Sequence, residues 1–377
     1  MVSHTLVEGK DVVCCQNYQP PSDSMVRRSS TDFLNYIHSF RAIAILIIVG
    51  VHCLDFLTWT EEKQTTRNFL DDIFANGSLV FVFIAGFLFQ HLSPKFAYVA
   101  YLKKKISNVI LPYALLSIPA IYYSGFYHKP TTGEQSASFI LKMRIIARYY
   151  LVGGAHVNYP YWFIPMIALF YLAAPVFMQF IKHPKLYFLL GILIPISILV
   201  HRPPWPHLNP VHNAIYFCSA YMLGMVCSQF KERVFNFINS HLPLFIGLYI
   251  LSFSMYYIFA EHGLHTAMSM FSHEHGYIDF PYIEKAIFSF VLLVLLQKYS
   301  HFLPSIFKYI ADISFSIYFF HIYVLICISH FIRGSLLGYG NWFSWCVLFV
   351  LTIVSSCCIT WFNKKILGKK SRFVIGS

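Results

Sequence analysis

The chain has 377 residues, 57% of them hydrophobic and 12% charged, with a formal net charge of +12. A soluble chain carries about 25% charged residues, so a water-soluble globular protein does not fit this composition. Apolar runs recur from Leu34 to Trp361, and stretches of about 18 residues cross roughly 30 Å of hydrocarbon, so the fold class is an all-α integral membrane protein.

In chain order, residues 1–33 contain Gln, Pro, Ser and Asp and lack a long apolar core. They read as a mobile cytoplasmic N-terminal tail, not a cleavable signal peptide, because no short apolar segment precedes a small-residue cleavage site. A bundle of about ten transmembrane helices is predicted, at 34–57, 72–92, 106–127, 160–181, 186–201, 212–230, 242–260, 282–298, 306–331 and 341–362. With both termini cytoplasmic, eighteen Lys and Arg residues fall on the inner side and nine on the outer, and Arg41 within the first span completes the 28. This bias follows the positive-inside rule, so the basic excess reports topology and no nucleic-acid partner is implied. The spans make one domain, 34–362, with a basic cytoplasmic tail at 363–377 and no internal repeat or second soluble domain. The nine cysteines form no Cys-x-x-Cys pair and read as small buried hydrophobes.

The first span, "FRAIAILIIVGVHCLDF", holds Arg41 and His52 inside apolar sequence. An arginine at depth costs at least ~2.5–3.5 kcal/mol on insertion scales, so it should face protein or a wet cavity. At about 100° per residue, the steps from Arg41 to His52 end roughly 20° past three full turns, with about 16 Å between them along the axis. Both side chains therefore share a face. Arginine suits phosphate, through a planar fork of charge-assisted bonds, and histidine suits proton transfer near neutral pH. A ligand with phosphates at one end and a reacting centre some 16 Å away fits this spacing, and coenzyme A has that shape. Read singly, Arg41 can also snorkel to the headgroups, and His52 can be a satisfied interior histidine. Asp55, one helical turn on, is placed to hold the His52 tautomer, or simply to mark the outer end of the span.

Arginine, ten residues, then histidine in a first span resembles the membrane-bound acyltransferase-3 family. The second span, "GSLVFVFIAGFLF", is similar to that family's Gly-x-x-x-Phe-Phe-x-x-Ser-Gly-Phe-Leu, with Gly77, Phe81, Gly86, Phe87 and Leu88 in register. "YWFIPMIALFYLAAPVF" resembles its Trp-Phe span and "ADISFSIYFFHIYVL" its late Ser-x-x-x-Tyr-x-x-His segment. The resemblance runs from about Leu34 to Trp361. It implies an acyl-CoA-dependent O-acyltransferase of glycans, with acetyl-CoA or another acyl-CoA as co-substrate and no metal. It makes His321 a second catalytic candidate beside His52 and Asp55, and Trp162 a candidate for the acceptor.

Two departures stand out. Ala85 replaces the usual serine, which removes any hydroxyl chemistry there. The family's Arg-x-x-Arg before the third span becomes "KKKISN", so Lys103, Lys104, Lys105 and Asn108 are the cofactor-binding candidates with Arg41. Lysines keep the charge but lose the bidentate geometry. Asp312 is nine residues before His321, which places the two on opposite faces of one helix.

On the outer side, "FILKMRIIARYYLVGG" is amphipathic. It either lies in the interface or offers Arg144 and Arg148 to an acidic glycan or lipid-linked pyrophosphate. The histidines His262, His265, His273 and His275 match no established zinc spacing, and Trp205 could stack on a sugar. The sequence thus predicts a multi-pass enzyme of a bacterial inner membrane, working on a carbohydrate or lipid-linked glycan within the lipid bilayer and compatible with a homo-oligomer. A glycan transporter or flippase without acyl transfer is the competing class, although the repeats and paired broken helices of many transporters are not evident.

Overall fold

The computed structural model describes residues 23–124, 139–153, 159–204, 207–270 and 276–377, and for 23–34, Leu141 and Tyr159 the backbone alone. Among the described residues everything regular is helical, apart from isolated bridges pairing Thr58 with Tyr339 and Arg202 with Thr266. The first helices are α1 (Asp23–Leu54), α2 (Gln64–Phe74), α3 (Gly77–His91), α4 (Tyr98–Lys105), α5 (Leu111–Tyr122) and α6 (Phe139–Val152). Then come α7 (Phe163–Leu172), α8 (Ala174–Lys182), α9 (Leu190–Val200), α10 (Pro210–Gln229), α11 (Lys231–Ser240) and α12 (Leu242–Phe259). The chain continues with α13 (Phe280–Tyr299), α14 (Ile306–Asp312), α15 (Ser314–Ile332), α16 (Trp342–Leu367) and α17 (Ser371–Ile375).

Several boundaries follow from local chemistry. Asn209 caps α10 by accepting from the amides of Val211 (2.9 Å) and His212 (3.3 Å), with Pro210 at the first position. Asp279 caps α13 in the same way, accepting from Tyr282 N at 2.8 Å, and Asn341 caps α16 from Ser344 N at 2.9 Å. Each side-chain oxygen satisfies a donor that the first helical turn leaves without a partner. Between α2 and α3 the chain turns at Asn76, which adopts a left-handed conformation (φ 53°) that asparagine tolerates better than most residues.

Among the described residues, seven segments are long and apolar enough to cross a membrane: Asn35–Leu54, Glu61–His91, Tyr98–Tyr122, Leu242–Phe259, Phe280–Phe302, Ser314–Ile332 and Trp342–Ile375. The pair α7 and α8, bent by 54°, makes an eighth if it is one span. The predicted span at 186–201 is a shorter apolar helix. The one at 212–230 falls on α10, whose His212, Asn213, Ser219 and Gln229 dilute its apolar character. The predicted span at 306–331 is interrupted at Ile313, where α14 stops and α15 begins. The expected basic tail starts inside α16 and ends in α17, whose Ser371 and Ile375 are buried.

Of α12 only Tyr256 is buried, while Leu244, Leu248, Ile250, Leu251, Ile258 and Phe259 are exposed. So large an apolar surface is out of place in water and belongs against lipid. The hub is α1, which packs on α3, α13, α14, α15 and α16. Helices α3 and α10 meet backbone to backbone: a Cβ on Gly86 would strike the Tyr221 carbonyl, and one on Gly224 the Phe83 carbonyl. Small residues that let helices approach closely are the usual glue in membranes, so Gly86 has a packing reason rather than a chemical one.

Candidate active site

Arg41 and His52 both turn toward α15. Arg41 Nη2 donates to Ser314 Oγ at 2.9 Å, at the start of that helix. Two turns further along α15, the His321 ring faces His52 with centroids 5.4 Å apart and planes tilted by 35°. The shared face expected from helical periodicity is thus directed at one neighbouring helix. His321 is fully buried, and its Nδ1 lies 2.7 Å from the Tyr318 carbonyl and 3.1 Å from that of Ile317. Carbonyls only accept, so in the neutral ring the proton belongs on Nδ1 and the lone pair on Nε2. That Nε2 has no hydrogen-bond partner among the described residues.

His52 opens into a small cavity walled by Phe81, Trp162, Phe163, Phe315 and Tyr318. The aromatic walls are themselves packed, with Phe81 edge-on to Phe163 at 5.7 Å and to Phe315 at 5.9 Å. Tyr318 is fixed by donating its hydroxyl to Pro160 O at 2.7 Å. Trp162, placed by the short helical turn Tyr159–Trp162, stacks nearly parallel on Phe217 at 5.8 Å and 13°.

Around Arg41 lie the polar groups of the opposite mouth. Asp312 acts electrostatically on Arg41 and lies 3.4 Å from His38 Nδ1, so it serves the Arg41 end rather than His321. Lys105 lies over the Tyr171 ring at 4.7 Å and the Tyr101 ring at 5.4 Å, near enough to Arg41 for the two charges to repel. Lys103 and Lys104 are exposed at the end of α4, and Asn108 sits half-buried in the wide turn Ile106–Ile110. Lys105 and Asp312 therefore both act on Arg41, whose hydrogen-bond partner is Ser314.

The other sequence candidates lie elsewhere. Helix α1 stops at Leu54, so Asp55 is outside the helix, exposed, and lines a separate open cleft of about 470 Å³ with Ser329, His330 and Arg333. Arg144 and Arg148 are exposed on α6, which packs on α5 and α7, and neither lines the cavity at His52. Trp205, His273 and His275 lie outside the described residues. His262 is engaged by Asp72, Nδ1 to Oδ2 at 2.7 Å, and among the described residues no group of three or more His, Cys, Asp or Glu could hold a metal.

Two basic residues counted as outer topology charges are buried instead. Lys285, 2% exposed, donates to Ile73 O at 3.0 Å and pairs with Glu284. Beside it, Asp72 also accepts from Gly263 N at 2.8 Å, so the group clasps the loop before α13 onto α2. Arg202, 6% exposed, lies with its guanidinium carbon 4.2 Å from the Trp162 ring centroid and 5.5 Å from that of Phe217. Its charge reaches His52, and sequence reasoning passed over it. The residue before it, His201, has φ 49° and ψ 173°, a conformation all but confined to glycine and costing about 1–3 kcal/mol. The turn is pinned by His212 Nε2 at 3.0 Å from the His201 carbonyl, and by Ala267 N donating to Arg202 O at 2.7 Å.

A family model described as an acyltransferase domain, that of the acyltransferase-3 family, matches residues 34–361. No curated protein and no solved structure matches the chain. The match covers every element that builds the two-histidine cavity and the Arg41 cluster, and the chain belongs to the acyltransferase-3 family of membrane-bound acyltransferases.

Proposed function

We propose that the protein transfers a short acyl group, acetyl in the first instance, from acyl-CoA to a hydroxyl of a cell-surface or lipid-linked glycan. The observation that carries this reading is the pairing of α1 with α15: one interface places a half-buried arginine at one end and two facing histidines at the other. Acyl-CoA would enter from the cytoplasmic side, with its phosphates on Arg41 and Lys105 and support from Lys103, Lys104 and Asn108. The pantetheine arm would run along the α1–α15 interface and present the thioester in the aromatic cavity. There His52 takes the proton of the acceptor hydroxyl or carries the acyl group, backed by His321. The narrow cavity favours a short acyl group over a long chain.

The acceptor would approach from the opposite face. The cleft at Asp55 has room for a sugar unit, Trp162 offers an aromatic face beside the cavity, and the exposed Arg144 and Arg148 suit an acidic glycan or lipid-linked pyrophosphate. Counting the bent pair, the helix Pro184–Val200 and α10 as spans gives ten crossings with both ends cytoplasmic, in agreement with the charge bias. A bacterial inner membrane is the setting we infer.

Purified protein incubated with radiolabelled acetyl-CoA and candidate glycans tests this. Labelled glycan with release of CoA supports the reading. Glycan movement across proteoliposomes without any use of acetyl-CoA would replace it with a transporter.

A further inference from the structure

We propose that Arg202 is a catalytic residue of the same site, its guanidinium binding the oxyanion that forms on the thioester carbonyl during acyl transfer. The proposal rests on the acyl-transfer reading above and assigns a role that neither the Arg41–His52 pair nor the inner lysines supply.

Four independent observations meet at this residue. The first is burial: Arg202 is 6% exposed, and no carboxylate among the described residues makes an ion pair with it. Asp279 and Tyr216 act on it only as neighbouring charges, and its Nε has no hydrogen-bond partner among the described residues. A buried cation with unspent donors is a standing cost in a membrane protein, and such residues are kept where they meet a ligand or a developing charge. The second is position: the guanidinium carbon lies 4.2 Å from the centroid of the Trp162 ring, and Trp162 walls the cavity into which His52 opens, so Arg202 stands directly behind that wall. A cation–π contact holds the guanidinium in place without consuming its N–H donors. The third is its electrostatic action on His52, which sets the cation within reach of the histidine's charge. The fourth is backbone strain: the His201 outlier immediately before it is held by hydrogen bonds from His212 and Ala267. Strain of this kind persists where the surrounding structure needs the next side chain in one place.

In direct attack the acceptor oxygen bonds to the thioester carbonyl carbon while its proton passes to the His52 imidazole. The carbonyl π pair moves onto oxygen, and that oxyanion accepts hydrogen bonds from the Arg202 N–H groups. Its collapse re-forms the carbonyl and breaks the C–S bond, and the departing thiolate takes the proton back from the imidazolium. An acyl-imidazole route would build an oxyanion at the same carbon. A donor fixed beforehand toward developing charge acts on kcat rather than on ground-state binding.

The test is steady-state acetyl transfer by the full chain in detergent, with Arg202→Met, Arg202→Lys and Arg202→Ala. Expected is a fall of about 100- to 1000-fold in kcat for Arg202→Met, with the acetyl-CoA KM little changed. Arg202→Lys should recover part of the loss, and guanidinium ion added to Arg202→Ala should restore turnover in a saturable way. A purely structural arginine would not be replaced by a free guanidinium ion. Near-native kcat in Arg202→Met overturns the assignment, as does a loss confined to KM or one that neither lysine nor guanidinium recovers. Absence of any transfer by the unaltered chain overturns the underlying acyl-transfer reading, and this assignment with it.

Discussion

The rings of His52 and His321 face one another at 5.4 Å across the α1–α15 interface. The two imidazoles are not equivalent. Backbone carbonyls hold the His321 proton on Nδ1, whereas His52 borders the cavity. On this geometry we propose His52 as the reacting group, with His321 as the fixed neighbour behind it. His52→Gln should lower kcat by at least about 100-fold, the range of a lost general base, while expression and membrane insertion stay normal. His321→Gln should cost less. Parallel kcat measurements on the two variants check the order, and a larger loss at His321 would reverse the roles.

Arg41 is tied to Ser314 by a charge-assisted hydrogen bond of 2.9 Å. If it is also the phosphate clamp, Arg41→Ala should weaken acetyl-CoA binding by about 10-fold or more, since bonds to charged groups contribute about 1.5–3 kcal/mol each. Equilibrium binding of a radiolabelled non-hydrolysable acetyl-CoA analogue reads this directly. Ser314→Ala should have a smaller effect in the same direction, and unchanged affinity in Arg41→Ala would remove the clamp.

Gly86 illustrates a motif residue whose reason is packing. Any side chain there meets the Tyr221 backbone, which cannot yield as a flexible side chain does. Gly86→Ala should lower stability by about 1–3 kcal/mol through overpacking, and Gly86→Leu should lower it further. Thermal unfolding in detergent, followed by tryptophan fluorescence, measures the difference.

None of the clasp residues Lys285, Glu284, Asp72 and His262 lines the cavity at His52. Lys285→Met leaves Glu284 buried without its cation, and breaking a buried pair in this way costs about 3–5 kcal/mol. A lowered Tm with kcat preserved in the folded fraction is the expected pattern. A kcat loss without a change in Tm would instead tie the clasp to the chemistry.

What the sequence disclosed was what depends on nearby residues. The common face of Arg41 and His52 is a matter of helical period, and α1 carries no proline or long polar interruption to spoil it. The apolar runs are likewise local. The burial of Arg202 and Lys285 is not legible in the sequence because it is set from far along the chain: Arg202 by its bridge to Thr266, and Lys285 by the carbonyl of Ile73. The break at Ile313 escaped notice because no glycine or proline marks it. Asp55 reads from the sequence either as a helical neighbour of His52 or as the outer end of the span; α1 ends at Leu54, which an apolar pattern running on to Leu57 does not fix to one residue.

Acyl transfer through His52 can be read in a single experiment: the purified chain and its His52→Ala variant, each incubated with acetyl-CoA labelled in the acetyl group and a panel of glycan acceptors. Expected is labelled glycan with matching CoA release from the native chain, and neither above background from the variant. Equal labelling by both proteins, or labelling by neither, would contradict the assignment of His52 as the group that moves the acyl chain.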